Sequence, residues 1–198
     1  MASDDRIDNR IFVLVLQHPQ EKKKELGTGA LTVARLRNAM IKVGLSWPNL
    51  GRILGRPVEP SRWAVLYLGA AKDAPPKGTG PVIAVDRKSV ALPRQDEMLS
   101  GIDGLVLLDG NWAQSKTLWW RNPWLLKLRR LVLLPDRPSA YGSLRREPRS
   151  TSVSTIEAAG ICLARLEGRP EIRAALDEAF ASFLTEFRGA PPKSELPQ

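Results

Sequence analysis

The chain has 198 residues, 43% of them hydrophobic, with a formal charge of +9, one cysteine and one histidine. That length predicts a single domain with a sizeable core, burying roughly 70% of the surface its unfolded form exposes. One cysteine excludes a disulfide framework and a cysteine-rich zinc site, and no apolar run reaches the roughly 20 residues that span a bilayer; residues 1–10 are charged and lack a signal-peptide core, so a cytoplasmic location is expected.

Residues 11–16 are an unbroken apolar run, as expected of a strand buried on both faces, and His18-Pro19 ends it. Thr28 and Gly29 open a helical pattern carrying Val33, Leu36, Met40 and Val43 at spacings of three and four. Residues 46–60 read as a Pro/Gly-rich loop, 62–68 as a second strand, 69–80 as a long loop and 82–85 as a short third strand. Residues 104–108 form a fourth strand. A helix starts at about Asn111, and Asn122-Pro123 breaks or restarts it, because the residue before proline avoids helix while proline starts helices well. Residues 131–134 read as a fifth strand, stopped by Pro135. Ser154-Thr155-Ile156-Glu157 opens the next helix as a capping box, with Ile156, Ala159, Leu163 and Leu166 on its apolar face. After Gly168-Arg169-Pro170, a last helix carries Ile172, Leu176, Ala179, Phe183 and Phe187 on one face. Residues 1–10 and the Pro-rich 189–198 read as tails around one domain, 11–188. Strands alternating with helices predict an α/β fold with a mainly parallel sheet flanked by helices.

The sequence 108–115, Leu-Asp-Gly-Asn-Trp-Ala-Gln-Ser, joins the fourth strand to its helix. In open α/β sheets ligands bind outside the carboxyl ends of strands, so this octet is the candidate ligand site. Asp109 reads either as a base or orienting carboxylate, or as a helix cap or Asx-turn. Trp112, Trp119, Trp120 and Trp124 lie within thirteen residues; core packing and stacking on a nucleobase are both open to them. Ser154 and Glu157 serve a cap or, at a helix N-terminus, an anion. No Gly-x-Gly-x-x-Gly, Walker or His-Glu-x-x-His pattern occurs, and no spacing suggests a metal site. With a single histidine and a single cysteine far apart, a nucleophilic triad has no support beyond His18 itself.

The charge is concentrated after the octet. Between residues 114 and 150 lie Lys116, Arg121, Lys127, Arg129, Arg130, Arg137, Arg145, Arg146 and Arg149 against only Asp136 and Glu147, a local excess of seven in a chain whose total is +9. A basic segment of this kind points to nucleic acid as partner.

Four pieces in order, His18-Pro19-Gln20-Glu21 with Thr28-Gly29, then Asp109-Gly110-Asn111-Trp112-Ala113, then Ser139-Ala140-Tyr141-Gly142 with Arg145 and Arg146, then Ser154-Thr155-Ile156-Glu157-Ala158, resemble the DTW-domain family, which is related to ribosomal-RNA aminocarboxypropyltransferases. The chain departs from the family at Asn111, where the D-x-T-W motif has threonine, and it lacks the N-terminal cysteine cluster of many members. The resemblance implies a SPOUT-like fold with a C-terminal trefoil knot, and transfer of the 3-amino-3-carboxypropyl group of S-adenosylmethionine to N3 of a uridine in tRNA. It also makes Asp109 the candidate catalytic residue. By position it places Thr28, Leu108, Asp109, Trp112, Ser115, Leu133, Leu134 and Ser154 around the S-adenosylmethionine, with leucine amides at strand ends meeting the adenine. Lys116, Arg121, Arg145, Arg146 and Arg149 are then candidates for tRNA phosphates. A SPOUT-type RNA methyltransferase and a non-catalytic RNA-binding module are the competing readings, and the choice between monomer and homodimer stays open.

Overall fold

A computed structural model describes residues 5–72, 78–141 and 153–189. Six strands form one sheet: β1 (Phe12–Gln17), β2 (Ala39–Val43), β3 (Trp63–Leu66), β4 (Val82–Val85), β5 (Gly104–Asp109) and β6 (Arg129–Leu133), in the order β2-β1-β5-β3-β6-β4. Every neighbouring pair is parallel except β4 with β6, so the sheet is mainly parallel with one antiparallel edge strand.

Side chains alternate across a strand, and both faces of the central strands are buried. Val13 and Val15 of β1 and Leu105 and Leu107 of β5 face one core with α1 (Gly29–Arg35), α3 (Gln95–Leu99), α5 (Thr155–Glu167) and α6 (Pro170–Gly189). Leu14, Leu16 and Val106 face a second core, closed by α2 (Leu50–Leu54), α4 (Trp112–Arg121) and the 3-10 turn Pro123–Lys127 with its buried Trp124 and Leu125. The last helix buries Ile172, Leu176 and Ala179 as its spacing predicts, with Phe180 and Leu184 completing the face while Phe183 is half-buried.

Three readings of the sequence need correction. The spacing of Val33, Leu36, Met40 and Val43 suggests one long helix. Instead α1 stops at Arg35, Leu36 turns extended, and Met40 and Val43 lie in β2. The backbone around Leu36 is claimed from elsewhere: Arg37 N–H donates to Ile7 O, Ile7 N–H to Arg35 O, and the amide of Asn38 to Asn9 Oδ1 at 3.0 Å. The same bonds tie Ile7 and Asn9 into the fold. Second, the loop 46–60 contains α2, capped by Asn49, whose side chain accepts from Arg52 N–H, and ended by Gly55 at φ 67°. Third, α3 lies in a stretch with no assigned element; its Gln95 is buried and pairs with both backbone groups of Ala84.

Candidate active site at the carboxyl end of the sheet

The site follows from register. Gln17 and Asp109 are paired neighbours at the ends of β1 and β5, so their side chains emerge on the same face. Gln17 Nε2 donates to Asp109 Oδ2 at 2.7 Å, and Thr155 Oγ1, in the first turn of α5, donates to Asp109 Oδ1. Asp109 is only 3% exposed. The third wall is Gly29 at the start of α1. A Cβ there would stand 2.4 Å from Asp109 Oδ2 and 2.9 Å from its Cγ, so only glycine lets the helix approach this closely. Asp109 is therefore a carboxylate clamped by three elements and not the helix cap that its position before α4 also allows.

The cap of α4 is Asn111. Its Oδ1 accepts from Gln114 N–H at 3.0 Å, and Gln114 Oε1 accepts from Asn111 N–H at 2.8 Å, closing a capping box. Threonine and asparagine are both N-cap residues, so the departure from the family motif keeps the local task of that position. The loop after β1 is held beside it: His18 N–H donates to Asp109 O at 3.0 Å, and Gln114 Nε2 to Gln20 Oε1 at 3.3 Å. Glu21, in the same loop, is buried and paired with Lys24 at 2.8 Å.

The second clamp is Glu157. The capping box on α5 is present as predicted, but the carboxylate does more than cap. Its Oε2 accepts from Ser154 N–H at 2.8 Å, from Ser154 Oγ at 2.6 Å and from Ser139 Oγ at 2.6 Å, while Oε1 accepts from Ala140 N–H at 2.8 Å. Tyr141 Oη then donates to Leu26 O at 2.5 Å. The chain leaving β6 is thus tied to the start of α5 and, through Tyr141, to the loop after β1. Its start is fixed to α6. Arg173 donates to both oxygens of Asp136, at 2.7 and 3.2 Å, and holds that carboxyl below its usual range, and Arg137 pairs with Asp177.

The residues expected around a cofactor divide accordingly. Thr28, Asp109 and Ser154 are buried together on the α1/α5 face. Ser154 spends its hydroxyl and amide inside the box, and Thr28 O accepts from Thr32 Oγ1 at 2.7 Å. Leu108, Leu133 and Leu134 are half-buried at strand ends, Leu133 packing with the α1/α5 core and Leu108 and Leu134 toward the other face. The Leu134 amide, expected to meet the adenine, is instead bonded to Pro81 O at 2.8 Å. Ser115 is buried and turns its hydroxyl to the carbonyl of Gly110 at 3.1 Å, bracing the turn. Trp112 stands 40% exposed at the head of α4. A separate groove of about 390 Å³, lined by Arg87, Leu92, Met98, Lys127 and Arg130 among others, lies at the opposite rim of the sheet, by the amino end of β6.

The basic segment is less available than its composition suggests. Arg129 donates to the carbonyls of Met98 and Ser100, Arg130 lies over the rings of Tyr67 and Trp119 at 5.3 Å from each, and Arg137 is paired. Lys116, Arg121 and Lys127 are exposed. Arg145, Arg146 and Arg149 lie outside the described residues. Among the four clustered tryptophans, Trp124 is core, donating from Nε1 to Trp47 O at 3.1 Å, and Trp119 is half-buried, whereas Trp120 is 72% exposed.

Gln17 and Thr155 are the functional neighbours that local sequence reasoning leaves out. The one signal for Gln17 is a polar residue closing an apolar strand. No helix is long and apolar enough to cross a membrane, and no group of three His, Cys, Asp or Glu could hold a metal, both among the described residues.

The DTW domain matches residues 3–188. The tRNA-uridine aminocarboxypropyltransferase 2 of Drosophila melanogaster is 32% identical over 172 residues, which cover 83% of this chain and 59% of the relative; the chain thus spans well under two thirds of that protein's length. No solved structure matches.

Proposed function

This chain belongs to the DTW-domain family, and from that premise we propose that it transfers the 3-amino-3-carboxypropyl group of S-adenosylmethionine to N3 of a uridine in tRNA. The observation that carries the reading is the clamped Asp109 at the end of β5, in the family's own motif, with a relative named for this reaction matching across most of the chain. The tRNA substrate, the S-adenosylmethionine donor, the N3 position and a cytoplasmic setting all belong to this proposal.

Bound S-adenosylmethionine would supply an electrophilic carbon already attached to a good leaving group, so positioning provides much of the rate. Thr28, Leu108, Trp112, Ser115, Leu133, Leu134 and Ser154 would form the walls around it, Ser115 and Ser154 by bracing the backbone. Asp109 would take or orient the N3 proton of the uridine. Gln17 Nε2 and Thr155 Oγ1 keep its two oxygens fixed for that task. Lys116, Arg121, Arg145, Arg146 and Arg149 would meet tRNA phosphates. The SPOUT-like knot is part of the same reading; its support is the family resemblance and the bond that ties Tyr141, after β6, to Leu26, after β1.

The test is incubation of the protein with unmodified tRNA and S-adenosylmethionine, followed by nucleoside mass spectrometry. A uridine heavier by an aminocarboxypropyl group is the expected product. A methylated nucleoside, or an unchanged one, would overturn the reading.

A further inference from the structure

We propose that the outer face of α4 is a stacking platform for single-stranded RNA, with Trp120 as its far anchor and Lys116 and Arg121 as its phosphate contacts. This rests on the proposed RNA substrate and adds the surface that holds it.

The argument starts from what α4 leaves in water. Trp112, Lys116 and Trp120 recur every four residues, so they form one stripe along the helix. All three are exposed, Trp120 by 72%. An eight-residue helical separation places the two tryptophans about 12 Å apart along the axis. Leu126, 45% exposed, and Lys127 follow in the 3-10 turn beyond the helix. Large apolar side chains gathered in water mark an interaction site more often than a solvated surface. The core explains Trp119 and Trp124, whereas among the described residues Trp120 belongs to no buried cluster and is 72% exposed.

Charge selects the occupant. From residue 111 to 135 the chain holds five cations, Lys116, Arg121, Lys127, Arg129 and Arg130, and no acid. Arg129 and Arg130 are engaged within the fold, so the exposed cations of this stretch are Lys116, Arg121 and Lys127, on or next to the striped helix. Aromatic faces interleaved with cations are how proteins hold single strands without reading sequence. The stripe also has a direction. It starts at Trp112, three residues after Asp109, so a strand lying on it leads to the proposed reaction site.

The experiment is a binding titration that needs no turnover. A fluorescein-labelled single-stranded 12-nucleotide RNA and an unmodified tRNA transcript are titrated by anisotropy against wild type, Trp120→Ala, Trp120→Phe and Lys116→Gln. Because Trp120 is mostly exposed, Trp120→Ala keeps the unfolding midpoint of wild type. Its affinity for both RNAs falls about 5- to 150-fold, the range expected for one lost stack, while Trp120→Phe stays within about threefold of wild type. The salt slope of Trp120→Ala is unchanged, and that of Lys116→Gln is flatter by about 0.7, one phosphate contact fewer. Wild-type affinity in Trp120→Ala overturns the platform, even if the aminocarboxypropyl product forms. Concentration-dependent self-association that Trp120→Ala abolishes overturns it too, by assigning the face to a second copy of the chain. If no transfer product forms but Trp120→Ala still loses RNA affinity, the platform stands and the proposed reaction falls.

Discussion

Substituting Gly29 by alanine should damage the site through one methyl group. In an exposed helix this change is stabilising, by about 1 kcal/mol, because glycine is a poor helix former. Here the new Cβ would stand 2.4 Å from Asp109 Oδ2, 2.9 Å from Asp109 Cγ and 3.1 Å from Gln17 Nε2. The glutamine amide can give way, but the carboxylate cannot without loosening the bonds from Gln17 or Thr155. Overpacking of this kind costs about 1–3 kcal/mol, and a strained buried hydrogen bond adds about 1 kcal/mol more. The net expectation is a loss of about 1–3 kcal/mol, or a fall in Tm of roughly 2–12 °C for a chain of this size. Turnover should fall more, about 100-fold, since a shift near 1 Å at a reacting group is enough. Differential scanning fluorimetry and nucleoside mass spectrometry read the two effects. The decisive control is the same substitution in an Asp109→Ala background. With the carboxylate gone, Gly29→Ala should become neutral or stabilising, the sign reversal that a direct steric coupling requires. A Gly29→Ala protein as stable and as active as wild type, or one equally destabilised in both backgrounds, would refute the geometry.

Asp109→Asn keeps the volume of the side chain but removes its capacity as a base. Turnover should drop at least about 100-fold with S-adenosylmethionine affinity within a few-fold by calorimetry, and full turnover would remove Asp109 from catalysis. Asn111→Ala should cost about 1 kcal/mol in urea unfolding through loss of the α4 cap, and Asn111→Thr should restore most of it; equal losses in both would mean that the cap is not what Asn111 provides. Burial pushes the Cys162 thiol up to about 12, so the native protein should resist iodoacetamide at pH 8 and label fully only in denaturant. Rapid labelling of the native protein would contradict its place in the core.

What could be read from the chain divides by the range of the interaction. The strands 104–108 and 82–85, the cap at Ser154 and the helix 170–189 were legible because each depends on neighbours a few residues away. β2 was not, because the spacing of Leu36, Met40 and Val43 fits a helix equally well and the decision lies with Ile7 and Asn9, some thirty residues upstream. α3 is short and starts at Arg94 with φ 53°, leaving no periodic pattern to find. The same limit applies at the site. Asp109 stood out from its motif, but Gln17 and Thr155 are 92 and 46 residues from it, and only the pairing of β1 with β5 and the placement of α5 bring them together. The basic segment failed in the opposite direction. Composition counts Arg129, Arg130 and Arg137 as available cations, whereas carbonyls, aromatic rings and Asp177 engage them.

The departure at Asn111 can be weighed from the same separation of roles. β5 ends at Asp109 and Asn111 is already the cap of α4, so the two polar side chains serve different elements. Asp109 goes to the α1/α5 face, where Gln17, Gly29 and Thr155 fix it. Asn111 starts α4 and engages the backbone and side chain of Gln114. No bond links the Asn111 side chain to the carboxylate among these contacts, so exchanging threonine for asparagine alters the cap and leaves the clamp in place. Each Asp109 oxygen accepts one of these donors, Oδ2 from Gln17 and Oδ1 from Thr155. These two bonds hold the orientation of the carboxylate, which is the task that the proposed reaction asks of it. Gly29 belongs to the same clamp, since a side chain there would meet the Asp109 carboxylate whatever residue caps α4.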